Sequence, residues 1–150
     1  AAAGNGGPAA APVYPAAYAG VIAVTAIDER DQVYRRANRG AYISFAAAGV
    51  NVVSAAGSYD RKPVSGTSFA APRVAAVIAQ RLAAARSAGS PARPSVLLAE
   101  LRHGARDLGA AGRDTVYGWG ALEPGASAAV ELGRGGAIAG SAKGGSLLLP

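Results

Sequence analysis

The stretch at 64–85 constrains this chain more than any other. Val64-Ser65-Gly66-Thr67-Ser68 leads a glycine and small hydroxyl residues straight into Phe69, after which apolar residues recur at helical spacing. Val74, Val77, Ile78 and Leu82 mark one side of a helix over 69–85, and alanines at 70, 71, 75, 76 and 79 fill much of the rest. A helix so small and apolar on most faces belongs inside a layered fold, closely approached by its neighbours. Pro72 is compatible with it because it falls near the first turn, where few intrahelical N–H groups are needed. Ser68 then stands where loop becomes helix, among unpaired backbone donors and at the positive end of the helix dipole. Two readings of it follow. Serine is a common helix N-cap; it is also a nucleophile, and an oxyanion forming beside it would meet ready-made donors.

The remaining pattern is that of an α/β chain. Residues 1–5 read as the end of a buried strand running into a glycine-rich loop, and Gly6-Gly7-Pro8, Pro12 and Pro15 keep 6–18 irregular. The run at 21–27 is short, continuous and rich in β-branched residues, as expected of a strand buried on both faces of a parallel sheet. Residues 28–40 are polar and charged and read as a surface loop. Strands are expected at 42–45 and 50–53, separated by Ala46-Ala47-Ala48-Gly49. Glycine and two prolines break the chain over 87–94. A second, amphipathic helix then runs over 95–103 with Gly104 as its C-cap. A third short helix is expected over 124–132, and 133–150 is a glycine, alanine and serine tail with little core-forming content.

Gly66-Thr67-Ser68-Phe69-Ala70-Ala71-Pro72 resembles the serine signature of the subtilisin family, and four further blocks stand in that family's order. Ala1-Ala2-Ala3-Gly4-Asn5-Gly6-Gly7 is similar to the strand and loop that carry its oxyanion-hole asparagine. Tyr14-Pro15-Ala16-Ala17-Tyr18 leads into 21–28 as the family's Tyr-Pro turn leads into a core strand. Residues 105–109 and 114–120 resemble the closing segment of the catalytic domain. Together these blocks cover roughly residues 1–131. The resemblance implies an α/β fold with a mostly parallel sheet flanked by helices, of which this chain supplies only the C-terminal half. It divides the chain into a catalytic-domain part, 1–132, and the tail, 133–150.

It also implies chemistry. Ser68 is the candidate nucleophile of a serine endopeptidase working through an acyl-enzyme. Asn5, otherwise an ordinary turn residue before Gly-Gly, is the candidate oxyanion donor together with the Ser68 N–H. Ala2, Ala3 and Gly4 would form one wall of the S1 pocket and Val13 its base, which favours uncharged P1 side chains; Gly66 and Thr67 complete the candidate substrate-binding set. The triad order in the family is Asp, His, Ser, so the base should precede Ser68. The sole histidine, His103, follows it. It is read as a helix-end residue that meets C-terminal carbonyls favourably. Asp28 and Asp31 lie in a loop the resemblance places far from the chemistry, and Asp107 and Asp114 read as turn-formers. The family's weak cation site uses carbonyls near Tyr18 and Val21 plus a carboxylate, where this chain has Ser44. No metal and no cofactor are therefore expected.

Composition bounds the alternatives. With 150 residues and 51% hydrophobic content the chain can bury a sizeable core. It has no cysteine, which excludes disulfides and thiolate metal sites. It also has no methionine, as expected of a processed or partial sequence. No stretch is long and apolar enough to span a bilayer, and no signal-like segment opens the chain; export of the parent is implied by the resemblance alone. The net charge of +6 would suit an anionic partner, but the arginines are scattered and no aromatics alternate with them, so solvated surface charge is expected and nucleic-acid binding is not. The partners expected are a peptide or protein substrate and the missing N-terminal part of the same catalytic domain. Without that part the chain should be inactive and poorly stable. A non-catalytic fragment or pseudo-enzyme that binds peptides or partners is the alternative from another class.

Overall fold

The β-branched run at 21–27 does form a buried strand, and the sheet grows from it. β1 (Ala23–Ile27) is buried at every position and pairs in parallel with β2 (Ile43–Ala48). The computed structural model describes residues 1–53, 62–89 and 93–124. On the far side of β1, Ala2 bridges Val24 in parallel, through Val24 N–H to the Ala1 carbonyl at 2.8 Å and Ala3 N–H to the Val24 carbonyl at 2.9 Å. On the far side of β2, Ala46 bridges Ala121 in parallel, with Ala46 N–H on the Gly120 carbonyl and Leu122 N–H on the Ala46 carbonyl, both at 2.9 Å. Four parallel segments thus lie side by side in the order 1–3, β1, β2, 119–122. This is the mostly parallel sheet the sequence calls for.

β2 continues through Ala46, Ala47 and Ala48, where a separating turn was expected. The alanines are needed there as strand residues because the helix comes so close. A Cβ on the adjoining Gly49 would stand 2.8 Å from the Ala26 Cβ and 3.0 Å from the Ala70 Cβ. The following strand is reduced to β3 (Val52–Val53), which pairs antiparallel with β4 (Pro63–Val64) in a separate ribbon.

Helix α1 (Thr67–Ser87) lies on β1 and β2. Its buried residues are Thr67, Ala70, Val74 and Val77, and the last three join Val24, Ala26, Phe45, Ala47, Leu101 and Leu122 in the main core. Burial on most faces does not hold within these residues: Ala75, Ala76 and Ala79 are exposed, because no described segment covers that side of the helix. Helix α2 (Pro94–Gly104) buries Leu101 in the same core, and the Arg102 guanidinium sits 5.0 Å from the Trp119 ring, joining α2 to the last sheet segment. Gly104 is the final residue of α2 and not a cap beyond it. The chain leaves through Ala105 in extended conformation (φ −74°, ψ 137°), because Arg106 must immediately pair with Ala121. The expected helix beyond Pro124 and the tail at 133–150 lie outside the described residues.

Two of the loops show why their residues were chosen. Asp114 accepts backbone N–H bonds from Ala110, Val116 and Tyr117, and Asp107 accepts one from Gly112 at 2.7 Å, so both act as turn-formers as read. Gly118 (φ 65°) packs directly on the Ser44 carbonyl, where any Cβ would collide with backbone on both Ser44 and Phe45. Left-handed strain and a clash that only backbone movement can relieve act together here. Gly118→Ala is expected to lower the stability of the intact protein by about 3 kcal/mol or more. A urea unfolding midpoint equal to that of the parent would contradict this.

Candidate active site

Ser68 reaches its position through a short chain of backbone bonds. Gly49 leaves the end of β2 and donates its N–H to the Ile27 carbonyl at 3.0 Å, while its own carbonyl accepts the Gly66 N–H at 2.8 Å. The turn ahead of α1 is therefore pinned at the carboxyl ends of β1 and β2, the end of a parallel sheet where ligand sites form. Gly66 is the N-cap, Thr67 the first helical residue and Ser68 the second. Ser68 is exposed, and no acidic residue in the first turn offsets the positive end of the helix.

Asn5 is brought to the same place from the other end of the chain. Its Oδ1 accepts the Thr67 N–H at 3.0 Å and the Thr67 hydroxyl at 3.2 Å. Only an oxygen can meet that N–H, so the orientation of the amide is set and Nδ2 is left as a donor. The Thr67 Oγ1 in turn accepts the Gly4 N–H at 3.1 Å. Asn5 Nδ2 and Ser68 Oγ face a common space: a Cβ on Gly66 would stand 3.5 Å from the first and 3.4 Å from the second. A serine hydroxyl and a side-chain N–H donor thus face one spot at the start of a helix, where the Thr67 N–H is taken by Asn5 and the Phe69 N–H by the Gly66 carbonyl. That is the arrangement needed to attack a carbonyl and hold the resulting oxyanion.

The other candidate residues fall around this pair in different ways. Gly4 and Val13 adjoin, since a Cβ on Gly4 would meet the Val13 side chain at 3.0 Å, and Val13 is partly exposed. Ala2 is half-buried. Ala3 is fully buried, its N–H spent on Val24 and its carbonyl on the Tyr42 hydroxyl at 2.7 Å. Thr67 is fully buried too and presents no side-chain surface to a ligand; its hydroxyl ties Gly4 to Asn5. Ser44 uses its Oγ to accept the Ala23 N–H at 3.1 Å, a bond within the sheet.

His103 is exposed near the end of α2, next to Gly104, where a Cβ would lie 3.9 Å from the Arg81 guanidinium. At about 1.5 Å per residue, Arg81 is about 20 Å along α1 from Ser68. Asp28 caps its own loop by accepting from the Arg30 and Gln32 N–H groups. Asp31 makes a two-bond pair with Arg106 at 2.6 and 2.8 Å, and that guanidinium beside it lowers its pKa; Arg106 also reaches Glu123 at 3.0 Å. All three side chains are largely exposed, so the cluster contributes little to stability.

Reading 28–40 as a surface loop missed Ala37 and Asn38, both buried. Asn38 is packed against the Asn5 loop, and Tyr42 lies just beyond it. Burial raises the Tyr42 phenol above its usual range, while the neighbouring Asn38 amide acts in the opposite direction. No periodicity announces a single buried amide at the end of a charged loop. The only signal was an asparagine among arginines, a residue type that needs partners when enclosed.

Comparison with known proteins gives one answer. The profile of the Subtilase family matches residues 1–120. The chain is 39% identical over 127 residues to "Minor extracellular protease Epr" of Bacillus subtilis (strain 168), a match covering 82% of this chain and 18% of that protein. It is 44% identical over 71 residues to "Halolysin-like extracellular serine protease Nep" of Natrialba magadii, covering 47% and 13%. Among solved structures it superposes on the prenylagaramide maturation protease PagA with a TM-score of 0.69 at 27% identity, covering 81% of this chain and 46% of that one. A lanthipeptide protease shares the fold, with a TM-score of 0.68 at 23% identity, covering 81% and 47%. The matches therefore span 18% and 13% of the length of these curated relatives and just under half of the solved chains.

Proposed function

The chain belongs to the subtilase family, and from that premise we propose that it supplies the nucleophile and the oxyanion-binding wall of a serine endopeptidase. The observation that carries this reading is the convergence of Ser68 Oγ and Asn5 Nδ2 on the space beside Gly66. In the proposed reaction Ser68 Oγ attacks the carbonyl carbon of the scissile peptide bond as its proton passes to a general base. The negative charge that develops on the carbonyl oxygen is met by Asn5 Nδ2 and the Ser68 N–H. The C–N bond then breaks, the base returns the proton to the leaving amine, and water hydrolyses the acyl-Ser68 ester by the same steps in reverse.

The base and its orienting carboxylate come, on this reading, from sequence outside these 150 residues. His103 is the only histidine, and its exposed place in the last turn of α2 supports a role at the helix end. The exposed alanine face of α1 at Ala75, Ala76 and Ala79 suits a covering segment from that same remainder. Val13 beside Gly4 favours an uncharged P1 side chain. Relatives named as extracellular proteases support export of the parent.

A fluorophosphonate tests the reading directly, because it phosphonylates only an activated serine. The intact protease is expected to take one adduct, mapped by peptide mass to Ser68. His103→Gln should label at the parental rate, whereas loss of a general base would slow it by about 10²–10⁴. No adduct at Ser68 would favour the peptide-binding pseudo-enzyme, and slow labelling of the His103 variant would return that histidine to the site.

A further inference from the structure

We propose that Asn38 is a positioning residue for the oxyanion donor, holding Asn5 in register with Ser68. This rests on the peptidase reading above and identifies the part of the chain that keeps its site in shape.

Asn5 lies in a Gly-Asn-Gly-Gly run, the most conformationally free backbone a chain can offer. Asn5 and Gly6 are exposed, so packing does not hold the loop. The segment at 36–38 holds it by hydrogen bonds on both sides of Asn5. Asn38 N–H donates to the Gly4 carbonyl at 3.1 Å, Gly6 N–H donates to Asn38 Oδ1 at 2.7 Å, and Gly7 N–H donates to the Arg36 carbonyl at 2.9 Å. Asn38 Nδ2 reaches the Ala11 carbonyl at 3.2 Å, so a single amide ties the start of the loop to its far end. Asn38 is fully buried and its side chain uses both functional ends. Gly4 is shaped to receive it: at φ 107° its open side faces the amide, and a Cβ would stand 2.7 Å from Asn38 Nδ2.

The hydrogen bonds of Asn38 go to Gly4, Gly6 and Ala11, on either side of Asn5, and not to Ser68, so it acts through the Asn5 loop. The consequence is kinetic. A donor displaced by about 1 Å can cost on the order of 10²-fold in rate, because the hydrogen bond must be in place as the charge forms. Substrate binding, made before any oxyanion exists, is affected far less.

The experiment is a double-mutant cycle in the intact protease, with kcat and KM measured per active site. Asn38→Ala should lower kcat by about 10–100-fold with KM little changed. Asn38→Asp keeps the acceptor for Gly6 N–H and loses the donor to Ala11, so its kcat should fall between parent and alanine variant. In an Asn5→Ala background neither substitution should lower kcat appreciably further, since the group they position is gone. If Asn38→Ala does not fold, the aspartate variant completes the cycle by itself. Equal losses in both backgrounds, or a raised KM at unchanged kcat, would overturn the proposal and leave Asn38 a residue of general stability. Turnover retained in Ser68→Ala would bring down the peptidase reading itself, a result distinct from either.

Discussion

On the proposed reading, Ser68→Ala in the intact protein is expected to lower kcat by about 10⁶ and leave the fold untouched. The magnitude is carried over from subtilisin, where removing the nucleophile costs about that much and a residual rate survives from the oxyanion donors and binding. The structural half of the expectation comes from this chain. Ser68 is exposed, is the second residue of α1 and buries no side-chain contact that alanine would forfeit. Alanine has the highest helix propensity. The urea midpoint should therefore stay within about 0.5 kcal/mol of the parent, as for surface changes away from special features. Undiminished hydrolysis by the purified variant would remove Ser68 from the mechanism.

Asn5 should separate into two roles when its two ends are changed one at a time. Its Oδ1 caps the first N–H of α1 and accepts the Thr67 hydroxyl, so Asn5→Ala should destabilise the protein by about 1 kcal/mol, as for loss of a helix cap. Its Nδ2 is the oxyanion donor of the proposed reaction, and in subtilisin loss of the corresponding donor costs about 10²–10³ in kcat. The drop should fall on kcat and leave KM nearly unchanged, because the oxyanion exists only near the transition state. Asn5→Asp divides the two effects. The carboxylate still caps the helix, and its charge suits a helix N-terminus, so the unfolding midpoint should be restored. Its second oxygen now points a negative charge at the developing oxyanion, so kcat should fall at least as far as in Asn5→Ala. Recovery of turnover along with stability in the aspartate variant would show that Asn5 serves the fold alone.

What could be read from the sequence was whatever repeats or stands in a local pattern. The continuous β-branched run at 21–27 and the helical spacing of Val74, Val77, Ile78 and Leu82 are strong local signals, and β1 and α1 lie where those signals put them, with Val74 and Val77 buried. Asn5 and Ser68 stand out in the sequence because each sits in a short run of distinctive residues, and the fold brings Asn5 to within hydrogen-bond reach of the residue before Ser68. The residues that arrange this meeting carry no such mark. Asn38 is one buried amide in a charged loop, and Gly49 is one small residue between a strand and a turn. The 119–122 segment joins the sheet although Trp119-Gly120 resembles no strand, because Gly118 and Gly120 take left-handed conformations and let it pass against the Ser44 and Arg106 backbones. The exposed side of α1 escaped notice for the opposite reason: alanine suits a buried and a solvated helix face alike.

The order of the sheet bears on how fast such a chain can fold. None of its three parallel pairings is a hairpin: 1–3 waits for β1, β1 for β2, and β2 for 119–122 at the other end of the described chain. Each closes a loop whose entropy must be lost before contacts repay it, and folds dominated by such distant pairings acquire their structure slowly. The bond from Asn5 to Thr67 likewise spans 62 positions. Asn5 and Ser68 therefore have no local route to each other, and the chain can have its helices long before the two residues meet.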